Sequence, residues 1–235
     1  MTMLDDKVAL VTGASRGIGA AVARALHEAG ARVGLLSRTG EDLGLDGALG
    51  VECDVRDPEQ VRRGVDATVG RFGRLDVAVA NAGVGAYGPF LELDPEQVEL
   101  MVDVNLKGTL YLARAALPHL IEAGESDFVA LASVAGLRGL PNEAVYCASK
   151  FGQVGFMRSL DHELREQGVR CTNVCPGGVA TDFAIGTGRT ADMPEMAGMM
   201  SPQDVAEIVM FAITRPRGHR VMDIALRPMS EESSG

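Results

Sequence analysis

The sequence predicts an α/β domain on a parallel β-sheet of about seven strands, and three observations point to it. Short apolar, β-branched runs alternate with longer amphipathic stretches along the chain, the pattern of βαβ units. The first strand run passes through a glycine-rich turn into a helical stretch, "VALVTGASRGIGAAVARAL". The 235 residues are 46% hydrophobic, enough for one sizeable core and short for two.

The strand runs are "KVALVT" (7–12), "ARVGLLS" (31–37), "LGVECDV" (49–55), "LDVAVAN" (75–81), "DFVALAS" (127–133), "VRCTNVC" (169–175) and "RVMDIAL" (220–226). Helical stretches fall near 17–29, 58–70, 94–122, 143–167 and 201–214. Pro58, Pro95 and Pro202 stand at helix starts, where a missing N–H costs nothing, and Asp57, Asp94 and Ser201 precede them as N-caps. The crossover 37–50, "SRTGEDLGLDGALG", carries four glycines and predicts a loop or one broken turn. Residues 1–229 read as one domain and the small, polar 230–235 as a disordered tail.

A net charge of −10 argues against a nucleic-acid partner, whose phosphates need a basic footprint. No apolar run approaches the ~20 residues of a membrane span. The N-terminus lacks a basic region before an apolar one, so the expected location is the cytoplasm. Cysteines 53, 147, 171 and 175 form no CxxC pair and read as reduced, buried thiols. Histidines 27, 119, 162 and 219 lack metal-ligand spacing, so no metal site is expected.

Two segments carry chemistry. In the glycine turn, Gly13, Gly17 and Gly19 allow close backbone approach, and the following helix offers free N–H groups and a positive dipole end to a pyrophosphate. Such a turn is also an ordinary βα connection; the strand before it and the helix after it favour dinucleotide binding. In "AVYCASKFG", Tyr146 and Lys150 share one helix face at i and i+4. Alone they are a surface pair. Beside a nucleotide site they are a phenol with a cation that lowers its pKa toward neutrality.

With these motifs in sequence order, the chain resembles the classical short-chain dehydrogenase/reductases over nearly its whole length. The pattern is Thr12-Gly13-x-x-x-Gly17-x-Gly19, Asp54-Val55, Asn81-Ala82-Gly83, Asn105, Ser133, Tyr146-x-x-x-Lys150 and Pro176-Gly177. The resemblance implies a Rossmann-like, doubly wound parallel sheet with helices on both faces. It implies an enzyme interconverting a small-molecule carbonyl and an alcohol, with NADP as acceptor in the oxidising direction. Tyr146 would be general acid and base, Ser133 would bond the substrate oxygen, and Lys150 would tune Tyr146 and hold a ribose. Asn105 would position a water that relays protons to Lys150, or be a buried structural amide. Gly13, Ser15, Arg16, Gly17, Ile18 and Gly19 would cradle the pyrophosphate. Asp54 and Val55 would frame the adenine, and Asn81, Ala82 and Gly83 would line the ribose. Pro176, Gly177, Val179 and Thr181 would hold the nicotinamide end. Family members pair long helices across two-fold axes, so a homodimer or homotetramer is expected. A dinucleotide-binding sensor, or a dehydratase or epimerase on the same scaffold, stands as the alternative.

Cofactor choice is read from the residues. An NAD site places an acid near the end of the second strand, whereas this chain has Ser37 and Arg38 there and no acid before Glu41. Arg38, with Arg16 from the glycine turn, suits a 2′-phosphate and points to NADP(H). Around the substrate, Tyr87, Leu137 and Arg138 are candidate pocket residues, and Arg138 or Arg189 would meet either a substrate carboxylate or solvent. The segment 182–200, rich in methionine, reads as an apolar lid or as packing between loop and sheet. The chain lacks the Asn-x-Gly-Gln spacing of the ketoacyl-carrier-protein reductases, which argues against fatty-acid synthesis.

Overall fold

Strands buried on both faces dominate the centre of the sheet, and their order follows from their connections. The computed structural model describes residues 3–190, 192–193, 196 and 198–231. Strands β1 (Val8–Thr12), β2 (Arg32–Ser37), β3 (Leu49–Glu52), β4 (Val77–Ala80), β5 (Ser126–Leu131), β6 (Val169–Pro176) and β7 (Asp223–Leu226) form one sheet in the order β3-β2-β1-β4-β5-β6-β7. Every pairing is parallel, as crossover connections require. β1, β5 and β6 are buried along their whole length, whereas edge strands β3 and β7 are partly exposed.

Period-two alternation sends side chains into two cores. Val8, Leu10, Phe128 and Ala130 pack on one face. There they meet α2 (Pro58–Phe72), α4 (Gly108–Ala123) and α5 (Ala144–Leu164) through Val61, Leu112 and Met157. Ala9, Val11, Val129 and Leu131 pack on the other, against Val22 and Leu26 of α1 (Gly17–Glu28) and Val205 and Val209 of α6 (Pro202–Ile213). All four cysteines are free and buried, Cys53 and Cys171 in the first of these cores.

The predicted caps act locally. Asp57 accepts from the N–H groups of Glu59 and Gln60, and Ser201 forms a reciprocal capping box with Asp204. The Asp94 N–H donates to Gln97 Oε1 at 3.2 Å, at the start of α3 (Pro95–Met101). The crossover is a loop, since consecutive left-handed residues, Leu43 and Gly44, rule out a helix. The stretch expected as one helix over 94–122 is divided: a π-helical turn, Val102–Lys107, separates α3 from α4.

Residues 232–235 of the expected tail lie outside the described residues. Glu231 is anchored, bonding Arg227 at 2.7 Å and Arg138 at 3.3 Å, and Ser230 Oγ donates to the Gly198 carbonyl at 2.7 Å. Among the described residues no helix is long and apolar enough to cross a membrane.

Candidate active site

The strand order reverses between β1 and β4, whose crossovers leave in opposite directions, so a crevice opens at their carboxyl ends. A cavity of about 1080 Å³ occupies it and runs from Arg38 and Asp54 at one end to Tyr146 and Arg189 at the other. Gly13, Ser15, Arg16, Gly17, Ile18 and Gly19 line it, with Ser37 and Val55, Asn81 to Gly83, Ser133 and Lys150, and Pro176, Gly177, Val179 and Thr181. Asn105 is fully buried behind this wall.

The glycine turn is tied to the neighbouring strand. Asn81 Nδ2 donates to the carbonyls of Thr12 at 2.8 Å and Gly13 at 3.1 Å, while Thr12 Oγ1 accepts from the N–H groups of Asn81 and Ala82. α1 starts at Gly17 without a side-chain cap and without an acid in its first turn, unlike α2 and α6. Its leading N–H groups and positive dipole end are therefore left for an anion in the cavity, and the residues present fit a pyrophosphate.

At the Arg38 end, Ser37 Oγ accepts from the Gly40 N–H at 3.1 Å, so it shapes the turn that presents Arg38. Arg38 and Arg16 are exposed on the wall, and Arg16 stands 3.9 Å from Asp182. Glu41 lines the same end. Asp54, expected to meet an adenine amine, is held by Arg56 through bonds of 2.5 and 3.0 Å. Those bonds hold its carboxyl below the usual range. Arg56, Thr39 and Cys53 are wall residues the sequence reading missed.

At the other end, Ser133 follows β5 and Tyr146 stands in the first turn of α5. Ser133 Oγ accepts from the Ala135 N–H at 3.1 Å and donates to the Pro176 carbonyl at 3.4 Å. The Tyr146 ring meets Tyr87 edge-on and Phe183 at a tilt, each at a centroid distance of 5.7 Å. Burial raises its phenol above the usual range, and a hydrogen bond with Ser133 pulls the other way. Lys150 Nζ lies 5.8 Å from the Tyr146 ring centroid and donates to the Leu131 carbonyl and to Gln153 Oε1, each at 2.8 Å. Burial pushes this ammonium down to about 7. The Asn105 amide is committed on three sides. Its Oδ1 accepts from the Val84 N–H at 2.8 Å, and Nδ2 donates to the Val84 carbonyl at 2.9 Å and to Ser149 Oγ at 3.0 Å.

The Tyr146 end of the cavity is aromatic with two charged residues, Glu143 and Arg189. Arg189 lies 5.6 Å from the Tyr87 ring centroid and 5.9 Å from that of Phe183. Burial raises the Glu143 carboxyl while the Arg189 charge opposes. The loop carrying Arg189 is tied to the segment after β4: Thr187 Oγ1 donates to the Gly85 carbonyl at 2.7 Å, and the Tyr87 N–H to the Thr187 carbonyl at 2.8 Å. Leu137 is exposed and Arg138 pairs with Glu231, so Leu140, Glu143 and Glu231 hold the wall positions expected of those two. The segment 182–200 divides between the cavity wall and packing. Phe183 and Met199 line the cavity, Met200 packs in the core, and residues 191, 194, 195 and 197 lie outside the described residues.

Comparison with known proteins agrees with this architecture. An alcohol dehydrogenase from the archaeon Thermococcus sibiricus, solved with 5-hydroxy-NADP, superposes with a TM-score of 0.86 at 31% identity, covering 97% of this chain and 99% of that one. A 3-ketoacyl-(acyl-carrier-protein) reductase from Brucella melitensis, solved with NADH, gives 0.86 at 29% identity over 95% of this chain and 98% of that one. An uncharacterized oxidoreductase of Staphylococcus aureus (strain USA300) is 36% identical over 97% of this chain and its own full length. The model of the short chain dehydrogenase family matches residues 7–191, and with the motifs seated around one cavity the chain belongs to the short-chain dehydrogenase/reductase family.

Proposed function

We propose that the protein is an NADP(H)-dependent oxidoreductase that interconverts a carbonyl and a secondary alcohol, with Tyr146 as general acid in reduction and base in oxidation. The observation that carries this is the meeting of Ser133, Tyr146 and Lys150 at one end of a cavity whose other end is an uncapped helix start behind a glycine turn. When bound, the nicotinamide supplies a hydride to the carbonyl carbon or accepts one from the alcohol. Ser133 Oγ orients the substrate oxygen, and the Tyr146 phenol gives that oxygen its proton. Lys150 supplies positive charge beside the phenolate that results and holds the ribose. The aromatic wall of Tyr87 and Phe183 favours a substrate with an apolar body.

Arg38 and Arg16 support NADP(H), because a guanidinium binds a 2′-phosphate through charge-assisted hydrogen bonds. Pairing of α4 and α5 with a second copy belongs to the same reading and is supported by Phe151, 46% exposed on α5. A panel of aldehydes, ketones and secondary alcohols, followed by nicotinamide absorbance, tests the function. Turnover of at least one substrate, better with the phosphorylated cofactor, is expected. Tight cofactor binding with no turnover of any substrate would mark a sensor instead.

A further inference from the structure

We propose that Gln153 is the positioning residue for Lys150, fixed in its turn by Thr109 and the Asn105 carbonyl. This rests on the reading of Tyr146 and Lys150 as the reacting pair. Tyr146, Lys150 and Gln153 occupy successive turns of one face of α5 at i, i+4 and i+7. Gln153 is fully buried, an uncommon place for a glutamine unless both ends of its amide are used.

Both ends are used, and the polarity runs one way. An ammonium can only donate, so Lys150 Nζ sets Gln153 Oε1 toward itself at 2.8 Å. That turns Nε2 to Thr109 Oγ1 at 2.6 Å, and the Thr109 hydroxyl spends its own proton on the Asn105 carbonyl at 2.9 Å. Lys150 is 3% exposed, Thr109 3% and Asn105 fully buried, so water does not compete along this line.

Glutamine suits both ends. Leucine would leave the ammonium with one acceptor fewer, while glutamate would lock it in an ion pair and lose the donor to Thr109. Among the described residues, the titratable groups facing Lys150 are the Tyr146 phenol on its own helix and Cys175 on β6. β5 presents the Leu131 carbonyl, and the π-helical turn and α4 present Asn105 and Thr109, all neutral. A neutral acceptor holds Lys150 in place without fixing its charge.

The chain has three lysines, Lys7, Lys107 and Lys150, so an NMR titration of ¹³Cε-lysine-labelled protein resolves Lys150 without any assay of turnover. Gln153→Leu should move the Lys150 titration to lower pH and Gln153→Glu to higher pH, each by about one unit or more. The limb of the kcat profile that requires protonated Lys150 should move in the same directions. kcat for Gln153→Leu should fall roughly tenfold or more, with cofactor KM less affected. A purely structural role would not shift the titration in opposite directions. Should Gln153→Leu fail to fold, Thr109→Val substitutes for it, with a smaller shift in the same direction. An unchanged Lys150 titration in the variants overturns the assignment. A wild type inert toward every substrate, with the lysine signals moving as described, overturns the proposed function and leaves the assignment standing.

Discussion

Gly19 lies so close beneath Gly13 that a β-carbon on it would stand 2.3 Å from the Gly13 carbonyl oxygen and 2.4 Å from Asn81 Nδ2. Both atoms belong to the tie that holds the glycine turn against β4, so Gly19→Ala must open that tie. NADPH affinity, measured by titration calorimetry, should fall tenfold or more, and the melting temperature should drop with it. Gly70, inside α2 with nothing within 4 Å of its added β-carbon, is the control. Gly70→Ala should melt at or above the wild type, because alanine is the better helix former. Equal behaviour of the two variants would contradict the crowded cradle.

Arg38→Asp places a carboxylate where a 2′-phosphate is expected. Charge-assisted contacts contribute about 1.5–3 kcal/mol each, so kcat/KM should lose its preference for NADPH over NADH or invert it, with kcat at saturating cofactor little changed. An unaltered cofactor ratio would remove Arg38 from the binding site.

Much of this architecture was readable in the chain because the signals were local. Strands of a parallel sheet are apolar on both faces, so they stand out as runs, and the Asp57 and Ser201 caps lie beside the prolines that mark helix starts. The carboxyl ends of β1 to β6, with the first turns of α5, then put the motif residues on one crevice. The π-helical turn at 102–107 was not legible: the stretch 94–122 is apolar at so many positions that a shift of phase by one residue leaves no visible break. Glu231 was lost to the polar composition of its neighbours: Arg138 is distant in sequence, and Arg227, four residues before it, lies just past β7 rather than on a recognisable helix. Gln153 was within reach, since the spacing that joins Tyr146 to Lys150 continues to it. The Asp54–Arg56 pair, two residues apart, was equally open to reading.

Lys150 also makes a prediction about stability. Its folded value of about 7 lies below the ordinary 10.5, so between those values the unfolded chain binds more protons than the folded protein. Stability at this residue therefore rises with pH across that window, and the cost of burying the ammonium is greatest below about pH 7. Lys150→Met removes that cost along with two hydrogen bonds. In urea melts, its stability relative to the wild type should be most favourable near the acid end of the window and decline toward the basic end. A difference independent of pH would show that Lys150 titrates normally in the fold.

The proton on Tyr146 is what the proposed reaction depends on. Tyr146→Phe keeps the ring that packs against Tyr87 and Phe183 and removes only the hydroxyl. The decisive measurement is single-turnover reduction by this variant beside the wild type, with NADPH affinity determined on the same samples. A rate lower by about 10²-fold or more, at unchanged affinity, is expected of a lost general acid. A near-normal rate would contradict the assignment of Tyr146.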